Sequence, residues 1–152
     1  MNITFVCTGN TCRSPMAAAI FSKRMLEAGR SDIQCRSAGL GAAEGQPVSA
    51  NAVEACKEIG VDIQGHTAHR LRGIDMVNTH LFVVMEEIHQ KILVEAGMAK
   101  GQVYLLGNGI PDPYGKDLEA FRECRDAIQN AFADLEQFVF HDATDVFEKL
   151  KK

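Results

Sequence analysis

The chain has 152 residues, 46% of them hydrophobic and 24% charged, with a formal net charge of −4. That length suits one domain with a proper core, here taken as residues 1–152, and leaves little room for two. No run of Lys or Arg exceeds a pair such as Lys23-Arg24 or Lys151-Lys152, so a nucleic-acid partner is not expected. The five cysteines (7, 12, 35, 56 and 124) are odd in number and form no C-x-x-C pair, which speaks against a disulfide framework or a structural zinc site. There is no basic, then apolar leader and no window near the roughly 20 apolar residues of a membrane span. A cytoplasmic protein with no membrane partner is the expectation.

In chain order, residues 2–7 predict a short strand rich in β-branched and aromatic side chains. Small and polar residues follow, including Gly9 and Asn10, which both tolerate positive φ. Ser14-Pro15 then reads as a helix start, with Ser14 as N-cap and Pro15 in the first turn, and Gly29 as the stop. A second strand fits 33–38, and a helix fits 48–59, closed by Gly60. The strongest strand is 80–85, followed by a helix over 86–96 and a strand over 102–106. After a turn-rich stretch, Leu118, Phe121, Ile128, Phe132, Leu135 and Val139 mark one face of a long amphipathic helix.

Strands alternating with helices, and apolar strands without clean alternation, predict an α/β fold. The expected form is a single doubly wound domain with about four parallel strands and helices on both faces. Ligands in such sheets bind beyond the carboxyl ends of the strands. The segment Cys7–Ser14 leaves the first strand at that end.

A strand, a small-residue loop and a helix start together form an anion cradle. The backbone N–H groups of Thr8, Gly9, Asn10, Thr11 and Cys12 are placed to turn inward on a phosphate. The same field favours a nucleophilic thiolate at Cys7. Arg13 closes the ring with a fork that suits two phosphate oxygens and the charge of a transferring phosphoryl group. Ser14 is placed to hydrogen-bond the Cys7 sulfur. A thiol nucleophile needs an acid for its leaving group, and Asp112, stiffened between Pro111 and Pro113, is the best candidate. Tyr114 can wall the entrance.

Cys7-Thr8-Gly9-Asn10-Thr11-Cys12-Arg13-Ser14-Pro15, followed by Asp112-Pro113-Tyr114, resembles the low-molecular-weight protein tyrosine phosphatases. The resemblance runs over nearly the whole chain, including Ser37-Ala38-Gly39-Leu40 and Gly65-His66. It implies a metal-free, cofactor-free, two-step hydrolysis of a phosphorylated protein substrate. Cys7 attacks phosphorus, Asp112 protonates the departing oxygen, and water then cleaves the phosphocysteine. It further implies that Asn10, Ser37 and His66 hold the loop open by hydrogen bonds, and that Cys12 can form a reversible disulfide with Cys7.

The chain departs from the family's pattern at three places. Thr11 stands where many of these tyrosine phosphatases carry Ile or Leu, and it resembles the protein arginine phosphatase branch. The loop from Leu40 to Gly45 lacks an aromatic wall, leaving Leu40 as its sizeable apolar contact. His66 is followed by Thr67-Ala68-His69 where the family often reads Arg-Ala-Arg, a change that reads as superficial. Phosphotyrosine is therefore the first expectation and phosphoarginine the second. An arsenate reductase of similar fold would need two further cysteines after the third strand, and residues 81–99 contain none. Oligomeric state and physiological substrate do not follow from the sequence.

Overall fold

The computed structural model describes residues 1–142, and the end of the expected domain, 143–152, lies outside the described residues. Four strands form one parallel sheet: β1 (Asn2–Cys7), β2 (Gln34–Gly39), β3 (Leu81–Val84) and β4 (Val103–Leu105), in the order β2-β1-β3-β4. The helices are α1 (Arg13–Glu27), α2 (Ala50–Lys57), α3 (Gly73–Asn78), α4 (Glu87–Glu95) and α5 (Leu118–Gln137). This is the expected α/β architecture, with boundaries moved by one or two residues.

The alternation of side chains along the strands assigns the helices to faces. Ile3, Phe5 and Cys7 of β1 and Leu81 and Val83 of β3 join the larger core cluster, which takes in α1, α2 and α5. Val6, Phe82 and Val84 point the other way and meet Leu93 of α4 and Met76 of α3. On the larger side Phe5, Phe21 and Phe132 form a tilted trio with centroids 5.0–6.4 Å apart, joining β1, α1 and α5. Because β1 is central and strand order reverses beside it, the carboxyl ends of β1 and β3 open into one crevice.

Helix α3 was not expected. Its six residues leave Ile74 and Val77 62% and 81% exposed, so it carries no buried apolar stripe to announce it. The long helix stops at Gln137 and passes into a wider turn over Phe138–Asp142, where Val139 remains fully buried. Among the described residues, no helix is long and apolar enough to cross a membrane.

Candidate active site

The start of α1 differs from the sequence expectation in an informative way. The N-cap is Cys12, with no side-chain cap, and Ser14 lies inside the first turn. The Ser14 hydroxyl is engaged instead with the Cys7 sulfur at 2.8 Å and the Asn10 side-chain amide at 2.8 Å. The first-turn N–H groups of α1 thus have no capping side chain and face the loop as a positive pole.

Hydrogen-bond direction can be assigned from donor capacity. Asn10 Nδ2 only donates, so Ser14 Oγ accepts from it and is free to donate its proton to Cys7 Sγ. The Asn10 backbone N–H, 3.3 Å away, is a second donor to the sulfur. Two donors converging on one sulfur is the arrangement a sulfur anion needs.

Asn10 is fully buried and takes φ +56°, the left-handed region that Asn tolerates. Its carbonyl accepts from His66 Nε2 at 3.0 Å, and its Oδ1 accepts the His69 backbone N–H at 2.9 Å. The structure therefore brings Asn10, Ser14 and His66 together but gives Ser37 no side-chain hydrogen bond to either Asn10 or His66. The sequence reading missed His69. Its imidazole sits 2.8 Å from Asp75 and 3.2 Å from Glu44, so the departure read as superficial ties α3 and the loop after β2 to the Asn10 support. Gly39 seals the same corner: a Cβ there would lie 2.6 Å from the Thr8 carbonyl oxygen and 3.0 Å from Asn10 Cβ.

Arg13 is 2% exposed. Its Nη1 donates to the Ile110 carbonyl at 2.9 Å, and its Nη2 lies 3.1 Å from Glu86 Oε2 and 3.6 Å from Asp112 Oδ2. Glu86 was also missed, although it follows the strongest strand at the carboxyl end of the sheet, beside the Cys7–Arg13 loop. Asp112 is half-exposed and its Oδ1 accepts the Tyr114 N–H at 3.0 Å, which shapes the turn between the prolines.

These groups surround a recess of about 250 Å³. The segment Cys7–Arg13 makes its floor, and Gln46, Asp112 and Tyr114 make its walls. Leu40 is not in that lining; it packs under the loop with the Val6–Phe82 cluster, while its N–H donates to the Cys7 carbonyl. Gln46 stands at the wall instead, a residue with no distinguishing local signal. Thr11 is 6% exposed and lies at the boundary with a neighbouring cleft that continues past Gln46 and Tyr114 towards Lys116. Cys7 and Cys12 are both free thiols, and burial pushes the Cys12 thiol up. Among the described residues, no cluster of His, Cys, Asp or Glu is placed to hold a metal ion.

The same architecture occurs in a solved low molecular weight protein tyrosine phosphatase from T. tengcongensis. The TM-score is 0.85 and the identity 35%, over 90% of this chain and 98% of that one. The family model for low molecular weight phosphotyrosine protein phosphatases matches residues 2–145, and the chain belongs to this family of hydrolases. Among curated relatives, a probable low molecular weight protein-tyrosine-phosphatase EpsP of Ralstonia nicotianae is 37% identical over 132 residues, covering 84% of this chain and 88% of the relative. A protein-arginine-phosphatase of Geobacillus stearothermophilus is 36% identical over 137 residues, with the same 84% and 88% coverage.

Proposed function

We propose that this chain, acting as one catalytic domain in the cytoplasm, hydrolyses phosphorylated protein side chains through a phosphocysteine on Cys7, with phosphotyrosine as the principal substrate. The observation that carries the reading is the convergence of Ser14 O–H and Asn10 N–H on a sulfur at the floor of a recess that also holds Arg13 and Asp112. In the first step Cys7 Sγ forms a bond to phosphorus as the bond to the leaving oxygen breaks. That oxygen takes the proton carried by Asp112. The loop N–H groups and the Arg13 fork hold the three equatorial oxygens, where negative charge spreads in the transition state. In the second step water attacks phosphorus, Asp112 accepts its proton, and the S–P bond breaks. The leaving sulfur is then a thiolate, stabilised by the Ser14 and Asn10 donors.

Tyr114, 69% exposed on the wall of the recess, offers a ring face for an aryl phosphate. One observation favours a second reading, phosphoarginine: Thr11 puts a hydroxyl-bearing side chain where Ile or Leu would place hydrocarbon, and an arginine phosphatase is among the relatives.

Kinetics on phosphotyrosine and phosphoarginine peptides, with wild type, Thr11→Ile and Cys7→Ser measured side by side, test both statements. Cys7→Ser is expected to lose turnover on both substrates while still binding inorganic phosphate, and retained turnover would sink the mechanism. Wild type is expected to favour phosphotyrosine in kcat/KM, and Thr11→Ile to widen that preference. A larger wild-type kcat/KM for phosphoarginine would reverse the substrate order, and an unchanged preference in Thr11→Ile would remove Thr11 from specificity.

A further inference from the structure

His89 of α4 is 2% exposed, and the mechanism above makes no use of it. Its Nε2 stands 2.9 Å from Thr8 Oγ1 and 3.4 Å from Glu86 Oε2, the same oxygen that lies 3.1 Å from Arg13 Nη2. Its Nδ1 is buried and has no hydrogen-bond partner. Together these facts decide the tautomer. A carboxylate oxygen attracts a hydrogen and repels a ring lone pair, so Glu86, 3.4 Å away, favours a hydrogen on the Nε2 that meets Thr8 Oγ1. A hydrogen on Nδ1 would instead be a buried donor with no acceptor, which proteins avoid more strictly than an unpaired acceptor.

The same geometry keeps the ring neutral. Protonation would place an unpaired N–H in the core and a second cation close to Arg13. The groups that act on His89 are Glu86 at the start of α4, Arg13 of α1 and Asp112 of the loop after β4. Burial is the largest influence and lowers the pKa, Glu86 raises it, Arg13 lowers it and Asp112 raises it, and the net direction is down.

Thr8 follows the nucleophile directly, and Arg13 ends the loop. Both are attached, through His89 and Glu86, to the single turn that follows β3. We infer that His89 is a positioning residue for the phosphate loop, a neutral imidazole whose Nε2–H donates to Thr8 Oγ1 beside the carboxylate that anchors Arg13. This rests on the phosphatase reading, because it assigns His89 a task within that site. Without the imidazole, Thr8 loses its side-chain tether. Glu86, 43% exposed, then gains freedom to turn to solvent, and Arg13 keeps only the Ile110 carbonyl as a close anchor. Preorganisation of the ring of donors should fall while the fold survives, since a leucine in this place removes an unsatisfied polar atom.

The test uses the whole protein with His89→Leu, His89→Gln, Thr8→Val and the double variant Thr8→Val/His89→Leu. Affinity for inorganic phosphate is measured by calorimetry, kcat and KM with p-nitrophenyl phosphate, stability by thermal midpoint, and the wild-type tautomer by imidazole 15N NMR near neutral pH. A neutral Nε2–H ring is expected. His89→Leu should lose about 10- to 100-fold in phosphate affinity and in kcat/KM with an undiminished thermal midpoint. Glutamine can set its Nε2 where the imidazole Nε2 stood, so it should restore most of the loss. The effects of Thr8→Val and His89→Leu should be less than additive, because both remove one contact. An Nδ1–H tautomer, a His89→Leu protein equal to wild type, or a glutamine variant no better than leucine would overturn the assignment. If wild type fails to turn over any phosphoester or phosphoarginine but its phosphate affinity still depends on His89, the phosphatase reading falls alone.

Discussion

Asp112 shows how one side chain combines a local and a distant contact. Its Oδ1 shapes its own turn through the Tyr114 N–H, and its Oδ2 looks across the recess to Arg13 at 3.6 Å. Asp112→Asn keeps an oxygen for Tyr114 but cannot give up a proton to the leaving group. The expected loss in kcat is about 10²–10⁴-fold for a phenolic leaving group, and clearly smaller for p-nitrophenolate, which departs without help. Equal losses along a leaving-group series would take Asp112 out of the acid role. The cysteines separate at the same scale. Burial pushes the Cys56 and Cys124 thiols up to about 12, whereas Cys7 lies on the floor of an open recess. Iodoacetate should therefore modify Cys7 in the native protein, with inorganic phosphate slowing the reaction, and reach Cys56 and Cys124 only after unfolding. Mass mapping of labelled peptides checks this, and native labelling of the buried pair would contradict it.

Among the elements, β1, the loop and α1 were legible because their signals are local: a β-branched strand, a residue suited to positive φ, and Gly29 at φ +74° closing the helix. Ser14 illustrates the limit. Its helix-cap signature was clear, yet its hydroxyl serves Cys7 and Asn10, because the folded loop brings both within 2.8 Å. Helix α3 and the loop after β2 are joined by His69, whose pKa is raised, by the Asp75 hydrogen bond first and by Glu44 after it. Burial works against Asp75, but the Arg72 N–H and His69 bring its pKa below the ordinary 3.8. His69 binds its proton more tightly folded than unfolded. Its contribution to stability is therefore complete below the ordinary histidine value of 6.5 and is lost as pH rises through the raised folded value. The Asp75 contribution is complete above 3.8 and is lost as pH falls through the lowered folded value. The unfolding free energy of wild type should thus fall on passing from mildly acidic to mildly alkaline pH, and His69→Leu should flatten that part of the profile. Denaturant titrations across the range measure it, and an unflattened profile would show that His69 is not its source.

At the level of the whole molecule, the site is assembled from segments distant in sequence: Cys7–Ser14, the Gln46 turn, the Glu86–His89 turn and Ile110–Tyr114. They meet because the sheet order β2-β1-β3-β4 puts the carboxyl ends of β1 and β3 side by side, and because Ile110 N–H binds the Met85 carbonyl at 2.8 Å. The sequence by itself determined the α/β class and the family, and it put Cys7 to Arg13 in the turn between β1 and α1, all carried by residue types at short spacings and by apolar periodicity. Only the tertiary structure decided which polar groups support that loop. It added His69 to the expected pairing of Asn10 with His66 and left Ser37 out, set Gln46 and not Leu40 at the wall, and placed Glu86 against Arg13. Those choices depend on strand order and on loop contacts across the sheet, and a long-range contact leaves no periodicity in the chain from which it could be read.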